Sequence, residues 1–182
     1  GDQVAVVTEE QLGQGALTYS TALANTDALI TNRPAIPIST FHADCIPIML
    51  LDPVSPAIGL AHAGWKGTAL RVGAKTVAQM KHNFGTNPRD CLAIIGPGIG
   101  PCCYEVDGKV KRVFETQFAG SLDFFQQVKE DRWHLDLWTA NIVALKQAGI
   151  PRANIVLTGL CTACHTELFY SHRKEAGRTG RM

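Results

Sequence analysis

The segment from His42 to Gly67, HADCIPIMLLDPVSPAIGLAHAGWKG, constrains the fold of this chain more than any other stretch. Two short apolar runs, Ile46–Leu51 and Ala57–Ala61, flank Asp52-Pro53-Val54-Ser55-Pro56. Two prolines and an aspartate favour a turn over a continued strand, so a β-hairpin is expected. If Leu51 pairs with Pro56, the ladder places Cys45 opposite His62. Facing residues of an antiparallel pair have Cβ atoms about 4.5–5.5 Å apart. A thiolate and an imidazole at that separation can share a tetrahedral metal, or act as a Cys–His nucleophile pair. Taken singly, Cys45 is an ordinary buried small hydrophobe and His62 an ordinary turn histidine; the pairing makes them candidates. Catalytic zinc uses about three protein ligands and an open position, so two residues do not complete a site.

Other functional groups crowd the same two strand ends. His42 and Asp44 precede Cys45, and Trp65 and Lys66 follow His62. Gly64 and Gly67 allow close backbone approach to a ligand. Lys66 stands near an expected helix start, where backbone N–H groups favour an anion such as phosphate.

Elsewhere, strands are expected at Asp2–Val7, Cys91–Ile95 and Asn154–Thr158, and helices at Thr68–Asn83, Lys109–Phe118 and Leu137–Ala148. The Thr68–Asn83 expectation rests on Leu70, Val77 and Met80 (and Phe84 just beyond) spaced with cations between them; Gly149 and Pro151 terminate the last helix. Alternating strands and helices without repeats or linkers indicate one layered α/β (α+β) domain over residues 1–182, a mixed β-sheet with flanking helices. The 182 residues suffice for one full core. With 46% apolar and 18% charged residues and a net charge of +1, nothing argues for nucleic acid or a membrane surface. No run approaches the ~20 apolar residues of a membrane span, and no export signal opens the chain, so a cytoplasmic protein is expected. The six cysteines are then expected to be reduced. The chain opens on Gly1 rather than Met, which leads us to expect a missing N-terminal segment.

In order, HADCIPIMLLDP, HAGWKGT, IGPGIGPCCYEV, DLWTANIVALKQAGI and GLCTACHTELFYSHRKEAGRTGRM resemble the signature segments of the YfiH family, also called multicopper polyphenol oxidase or laccase-domain proteins. The resemblance runs from about Asp2 to Met182. It implies a YfiH-like α/β domain with one zinc held by His, Cys and His. It also implies purine nucleoside phosphorylase activity, including phosphorolysis of methylthioadenosine, and adenosine deaminase activity. Cys45 matches the ligand cysteine of the A-D-C motif and His62 the ligand histidine of H-A-G-W. The other ligand histidine lies in a Q-x-H-G/S-x-x-V pattern whose end matches the opening of this chain, so the third ligand is expected just before Gly1. Lys66 replaces the family's usual arginine, which would loosen a phosphate contact. Arg173 is retained and is expected to bind phosphate or ribose; Arg178 and Arg181 suit a surface basic turn equally well.

On this reading zinc would activate water for deamination. Asp44 or His42 would carry protons, Lys66 and Arg173 would place phosphate, and Trp65 or Tyr104 would stack on the base. The expected partners are a purine nucleoside and phosphate, in a monomer or small homo-oligomer. Two other activities compete: a copper-dependent polyphenol oxidase, and a Cys–His hydrolase that edits cell-wall precursors. Six histidines without H-x-H pairs do not furnish a multicopper cluster. Cys161-Thr-Ala-Cys164-His165 matches a haem-attachment or redox pattern, but a packed turn after a strand explains it as well. Cys102 and Cys103 are too few and too adjacent to make a zinc ribbon by themselves. Gly96–Gly100 is only loosely like a phosphate loop and lacks the P-loop lysine.

Overall fold

The hairpin expected in mid-chain forms the centre of the main sheet. A computed structural model describes residues 1–16, 18–118 and 121–182. The hairpin strands, β3 (Ile46–Asp52) and β4 (Ala57–Ala63), lie in a six-stranded mixed sheet with β1 (Val4–Val6), β2 (Ala28–Thr31), β5 (Leu92–Ile95) and β9 (Ile155–Leu157). The strand order is β1-β2-β4-β3-β5-β9; β1 runs parallel to β2 and β5 to β9, and the other pairs are antiparallel. A second sheet, ordered β6-β8-β7, joins Glu105–Asp107 (β6), Arg132–Leu135 (β8) and Phe125–Lys129 (β7).

The register differs from the expected one by two residues: Asp52 pairs with Ala57 and Pro47 with His62. Pro56 has no N–H to give the ladder, so pairing starts one residue later. Asp52 stabilises the longer arrangement, its Oδ1 accepting the Val54 and Ser55 amides at 2.9 and 3.0 Å. Continuing the ladder, Cys45 stands opposite Gly64 rather than His62. A Cβ on Gly64 would lie 2.9 Å from the Cys45 sulfur, so glycine there leaves the space the thiol occupies. A two-residue shift preserves the alternation of faces, and Cys45 and His62 still belong to the same face.

The helices are α1 (Trp65–Ala69), α2 (Val72–Phe84), α3 (Gly108–Gln117) and α4 (Leu137–Gln147). The single helix expected over Thr68–Asn83 is therefore two. Arg71 adopts φ 58°, a left-handed conformation that ends one helix and starts the next, and its guanidinium packs 4.5 Å from the Phe118 ring. Asp107 and Asp136 cap α3 and α4 through the Val110 and Thr139 amides. Helix α2 packs on β4, β2 and α4. Val72, Val77 and Met80 of α2 join Ile30, Ile46, Ile48, Ala61 and Ile95 of the sheet in the core. Gly59 permits this closeness, since its Cβ would lie 3.0 Å from the Met80 sulfur. The opposite face of the sheet exposes Met49, Leu51, Ile58, Leu92, Ile94 and Val156.

Candidate functional site

Strand directions gather the candidate residues at one end of the main sheet. The start of β3 carries Cys45, the end of β4 carries His62, and the adjoining ends of β5 and β9 lead into Gly96–Pro101 and Leu160–Cys164. The glycines after β5 are places of close contact, not a phosphate cradle. A Cβ on Gly98 would meet Ile46 Cδ1 at 2.4 Å and the Asp44 carbonyl oxygen at 3.0 Å; one on Gly100 would meet Cys161 Cβ at 3.2 Å. Backbone hydrogen bonds then close the region: Ile99 N–H to Asp44 O at 2.8 Å, and Thr162 N–H to Gly98 O at 3.2 Å. The chain's last residue pairs with His42 in both directions, at 2.8 and 3.0 Å.

The His42 ring is stacked on the His62 ring, with centroids 4.5 Å apart. His42 Nδ1 lies 3.1 Å from the Cys45 carbonyl oxygen and Nε2 lies 2.7 Å from Thr40 Oγ1. The carbonyl can only accept, so Nδ1 carries the proton and Nε2 accepts from Thr40. Burial and the neighbouring His62 push the His42 pKa down to about 4. With both nitrogens engaged, His42 orients its neighbours and has no lone pair free for a metal. His62 is also held below the ordinary imidazole range, chiefly by burial and further by Arg181, against the opposing pull of Asp27. Burial and the adjacent Asp44 raise the Cys45 pKa, which Arg181 partly offsets. A neutral imidazole and a soft sulfur suit zinc. Among the described residues no third donor joins these two, the only group that collects at least three ligand atoms being a separate set of cysteines.

Asp44 is buried at φ 80° and braces the site. Its Oδ1 accepts the Thr162 hydroxyl at 2.6 Å and its Oδ2 accepts the Arg173 amide at 2.6 Å. The Arg173 guanidinium donates to the Glu105 carbonyl at 2.7 Å and lies 5.0 Å from the Tyr104 ring. Burial raises the Tyr104 pKa to about 12, so the phenol stays protonated. Trp65, Tyr104, Arg132 and Arg173 line one pocket of about 310 Å³. His62, Phe41, Thr40 and Tyr19 line a second, also about 310 Å³. The larger apolar cavity, about 720 Å³, is at the turn end of the hairpin. It is roughly 20 Å from Cys45 at ~3.3 Å per strand residue, so it does not belong to this site.

Of the residues expected to act, the fold gathers Cys45, His62, His42 and Asp44 at one strand end, and Trp65, Tyr104 and Arg173 in one pocket. Lys66 does not line that pocket; it is exposed on α1 with its ammonium 5.5 Å from the Trp65 ring. Helix α1 is also only five residues long, too short for the anion site expected at its start. Two residues gain importance. Arg181 acts electrostatically on both Cys45 and His62, which its position in a basic tail did not reveal. Phe41 stands in the His62 pocket, and only its place one residue before His42 marks it in the sequence.

Residues 1–182 match the family described as multi-copper polyphenol oxidoreductase laccase. The chain belongs to that family. Among curated members of similar sequence, purine nucleoside phosphorylase YlmD of Bacillus subtilis (strain 168) is 39% identical over 181 residues, covering all of this chain and 65% of that protein. A Deinococcus radiodurans protein named purine nucleoside phosphorylase is 43% identical over 157 residues, 86% of this chain and 58% of its own length. This laccase-family chain thus spans about two thirds, or less, of these relatives. Its fold is that of solved family structures. YfiH from Bacillus licheniformis superposes with a TM-score of 0.96 at 42% identity, covering 99% of this chain and 68% of that one. YlmD from Geobacillus stearothermophilus gives 0.95 at 35% identity, covering 100% and 67%. The mixed α/β fold expected from the sequence is the fold this family adopts.

Proposed function

We propose that this chain carries the active site of a purine nucleoside phosphorylase, with Cys45 and His62 as two ligands of a catalytic zinc. The observation that carries the reading is the Cys45–His62 cluster flanked by two pockets that together supply aromatic rings and arginines. Bound zinc would act as a Lewis acid and lower the pKa of water. The third ligand is proposed to be a histidine just upstream of Gly1. In support, the Gly1 and His62 carbonyl oxygens lie equally close, 3.2 Å, to the position of a Cβ on Gly67, so a chain arriving at Gly1 passes beside His62.

In phosphorolysis a phosphate oxygen bonds to the ribose anomeric carbon while the bond to the base nitrogen breaks, and the base leaves with the electron pair and takes up a proton. Arg173 and Arg181 would hold the phosphate, Arg173 pre-set by its bonds to Asp44 and Glu105. Trp65, Tyr104 or Phe41 would stack on the base. Asp44 would position Cys45 and Arg173 rather than transfer a proton, because both of its oxygens are engaged. Phosphorolysis of methylthioadenosine follows the same course, and deamination of adenosine, with water displacing ammonia, would use the same pocket. A Cys–His hydrolase is less well supported: the Cys45 thiol has a raised pKa and makes no hydrogen bond to His62 among the described residues.

The test incubates the polypeptide as the cell makes it with inosine, methylthioadenosine or adenosine, with and without phosphate. Expected are phosphate-dependent release of base with ribose 1-phosphate, or with 5-methylthioribose 1-phosphate from methylthioadenosine, and phosphate-independent release of ammonia from adenosine, all lost in Cys45→Ala and His62→Ala. Arg173→Ala and Arg181→Ala should raise the KM for phosphate roughly tenfold to a hundredfold, the value of about 1.4–2.8 kcal/mol for a charged contact. Base release that needs no phosphate, or full turnover in Cys45→Ala, refutes the assignment.

A further inference from the structure

Two loops that the proposed activity does not use bring four cysteines together. Cys102 and Cys103 follow β5, and Cys161 and Cys164 follow β9, its parallel neighbour. Gly98 forms a bridge with Cys161, its amide donating to Leu160 O at 3.2 Å, and this zips the loops together. Cys102 and Cys103, unpromising as an isolated adjacent pair, thereby meet the C-x-x-C turn. The Cys164 sulfur lies 3.6 Å from that of Cys102 and 3.4 Å from that of Cys103, and all four sulfurs fall within 4.8 Å of one another.

We propose that Cys102, Cys103, Cys161 and Cys164 form a structural zinc site, separate from Cys45 and His62. A tetrahedron with Zn–S bonds of about 2.3 Å has S···S edges of about 3.8 Å, inside the range the four sulfurs already span. Four thiolates select a soft tetrahedral ion, and zinc does so without redox chemistry. The backbone favours sulfur as a ligand: the Gly100 N–H donates to Cys161 Sγ at 3.2 Å. In the C-x-x-C turn, the Cys164 and His165 amides both donate to the Cys161 carbonyl, at 3.2 and 3.1 Å, which folds Cys164 back beside Cys161. Cys102 and Cys164 are exposed, giving an ion a way in, while Cys161 is buried at the base of the cluster. Loading replaces thiol protons with the metal and changes no oxidation state.

The location gives the ion a purpose. Thr162, held between two of the ligands, donates to Asp44, and Tyr104 directly follows Cys103. A metal here would brace the candidate site from behind, fixing the wall that positions Arg173.

The test counts metal in the native polypeptide purified without chelators, on a Cys45→Ala background so that an ion at the candidate site does not contribute. Elemental analysis should find one equivalent of zinc, absent once Cys102→Ser and Cys164→Ser are added. Cobalt(II) in place of zinc should give the strong visible bands and near-ultraviolet thiolate charge transfer of a tetrahedral all-sulfur site. Cys102→His should keep the ion and shift these bands toward the blue, a readout that holds even if the serine variants do not fold. No stoichiometric metal in the Cys45→Ala protein, iron or copper in place of zinc, or a mass lower by two hydrogens from a disulfide among these cysteines, would overturn the proposal. None of these readouts involves nucleoside turnover, so this site and the proposed activity fail independently.

Discussion

Asp44→Asn separates a carboxylate that holds the site together from one that carries a proton. Asparagine tolerates the φ of 80° about as well as aspartate does, so backbone strain does not change. The amide keeps one acceptor, which stays on the Arg173 amide, and turns its NH₂ toward the Thr162 hydroxyl, which can rotate to accept. Both bonds survive but lose a charged partner. Hydrogen bonds to charged groups are worth about 1.5–3 kcal/mol and neutral ones about 0.5–1.5, so the pair weakens by about 2 kcal/mol. At ~2–4 °C per kcal/mol for a chain of this length, Tm should fall by about 4–8 °C. Differential scanning calorimetry measures it. Thr162→Val, which removes one of the two bonds outright, should also lower Tm, and the double variant should fall short of the sum because the two residues share a contact. An Asp44→Asn protein that melts within about 1 °C of the parent but loses all turnover would refute the holding role and make Asp44 the proton carrier.

Gly98→Ala places a Cβ 2.4 Å from Ile46 Cδ1 and 3.0 Å from the Asp44 carbonyl oxygen, an overpacking expected to cost about 1–3 kcal/mol. Gly159→Ala, at φ 68° with nothing within 4 Å, bears only the left-handed backbone penalty of roughly 1 kcal/mol. Urea denaturation should rank Gly98→Ala as the more destabilising, and the reverse order would refute the close packing of the β5 loop on β3. At Asp52, burial acts to raise the carboxyl pKa, but the amide bonds from Ser55 and Val54 help to outweigh it, and the group is held below its ordinary 3.8. The sign follows: the ionised form is favoured in the folded chain, so its contribution is complete above the ordinary carboxylate range and is lost as pH falls through the lower folded value. Asp52→Asn should therefore be less stable than the parent at neutral pH, with the gap closing in acid; a gap independent of pH would contradict this.

The parts of the fold legible in the sequence were those fixed by local chemistry. The Pro-bracketed turn, the apolar runs on each side and the Gly149-Pro151 stop each settle their own neighbourhood. What escaped depends on distant partners. Strand β2 is four residues long and gains its place from pairing with β1 and β4. The second sheet comprises strands of three to five residues carrying charged and polar side chains, with no apolar alternation to mark them. The break at Arg71 was invisible because the helical periodicity of Thr68–Asn83 continues through it, and because the arginine's packing partner, Phe118, is 47 positions away.

The candidate site follows the same division. The sequence pattern links Cys45 and His62 through a hairpin register that differs from the observed one by two, yet their shared face survives, because faces alternate with a period of two and an even shift leaves them unchanged. An odd shift would have put the thiol and the imidazole on opposite sides of the sheet. The residues that complete the setting depend on longer closures. Asp44 meets Thr162 across 118 positions and Arg173 across 129, and His42 pairs with Met182 at the far end of the chain. No spacing rule reaches that far. One physical sign was available for Asp44: a short polar residue just before a strand tolerates positive φ and can face its carboxylate back onto the backbone. The four cysteines show the same limit. In the sequence they are one adjacent pair and one C-x-x-C, each a weak motif, and only the parallel pairing of β5 with β9 makes them one site.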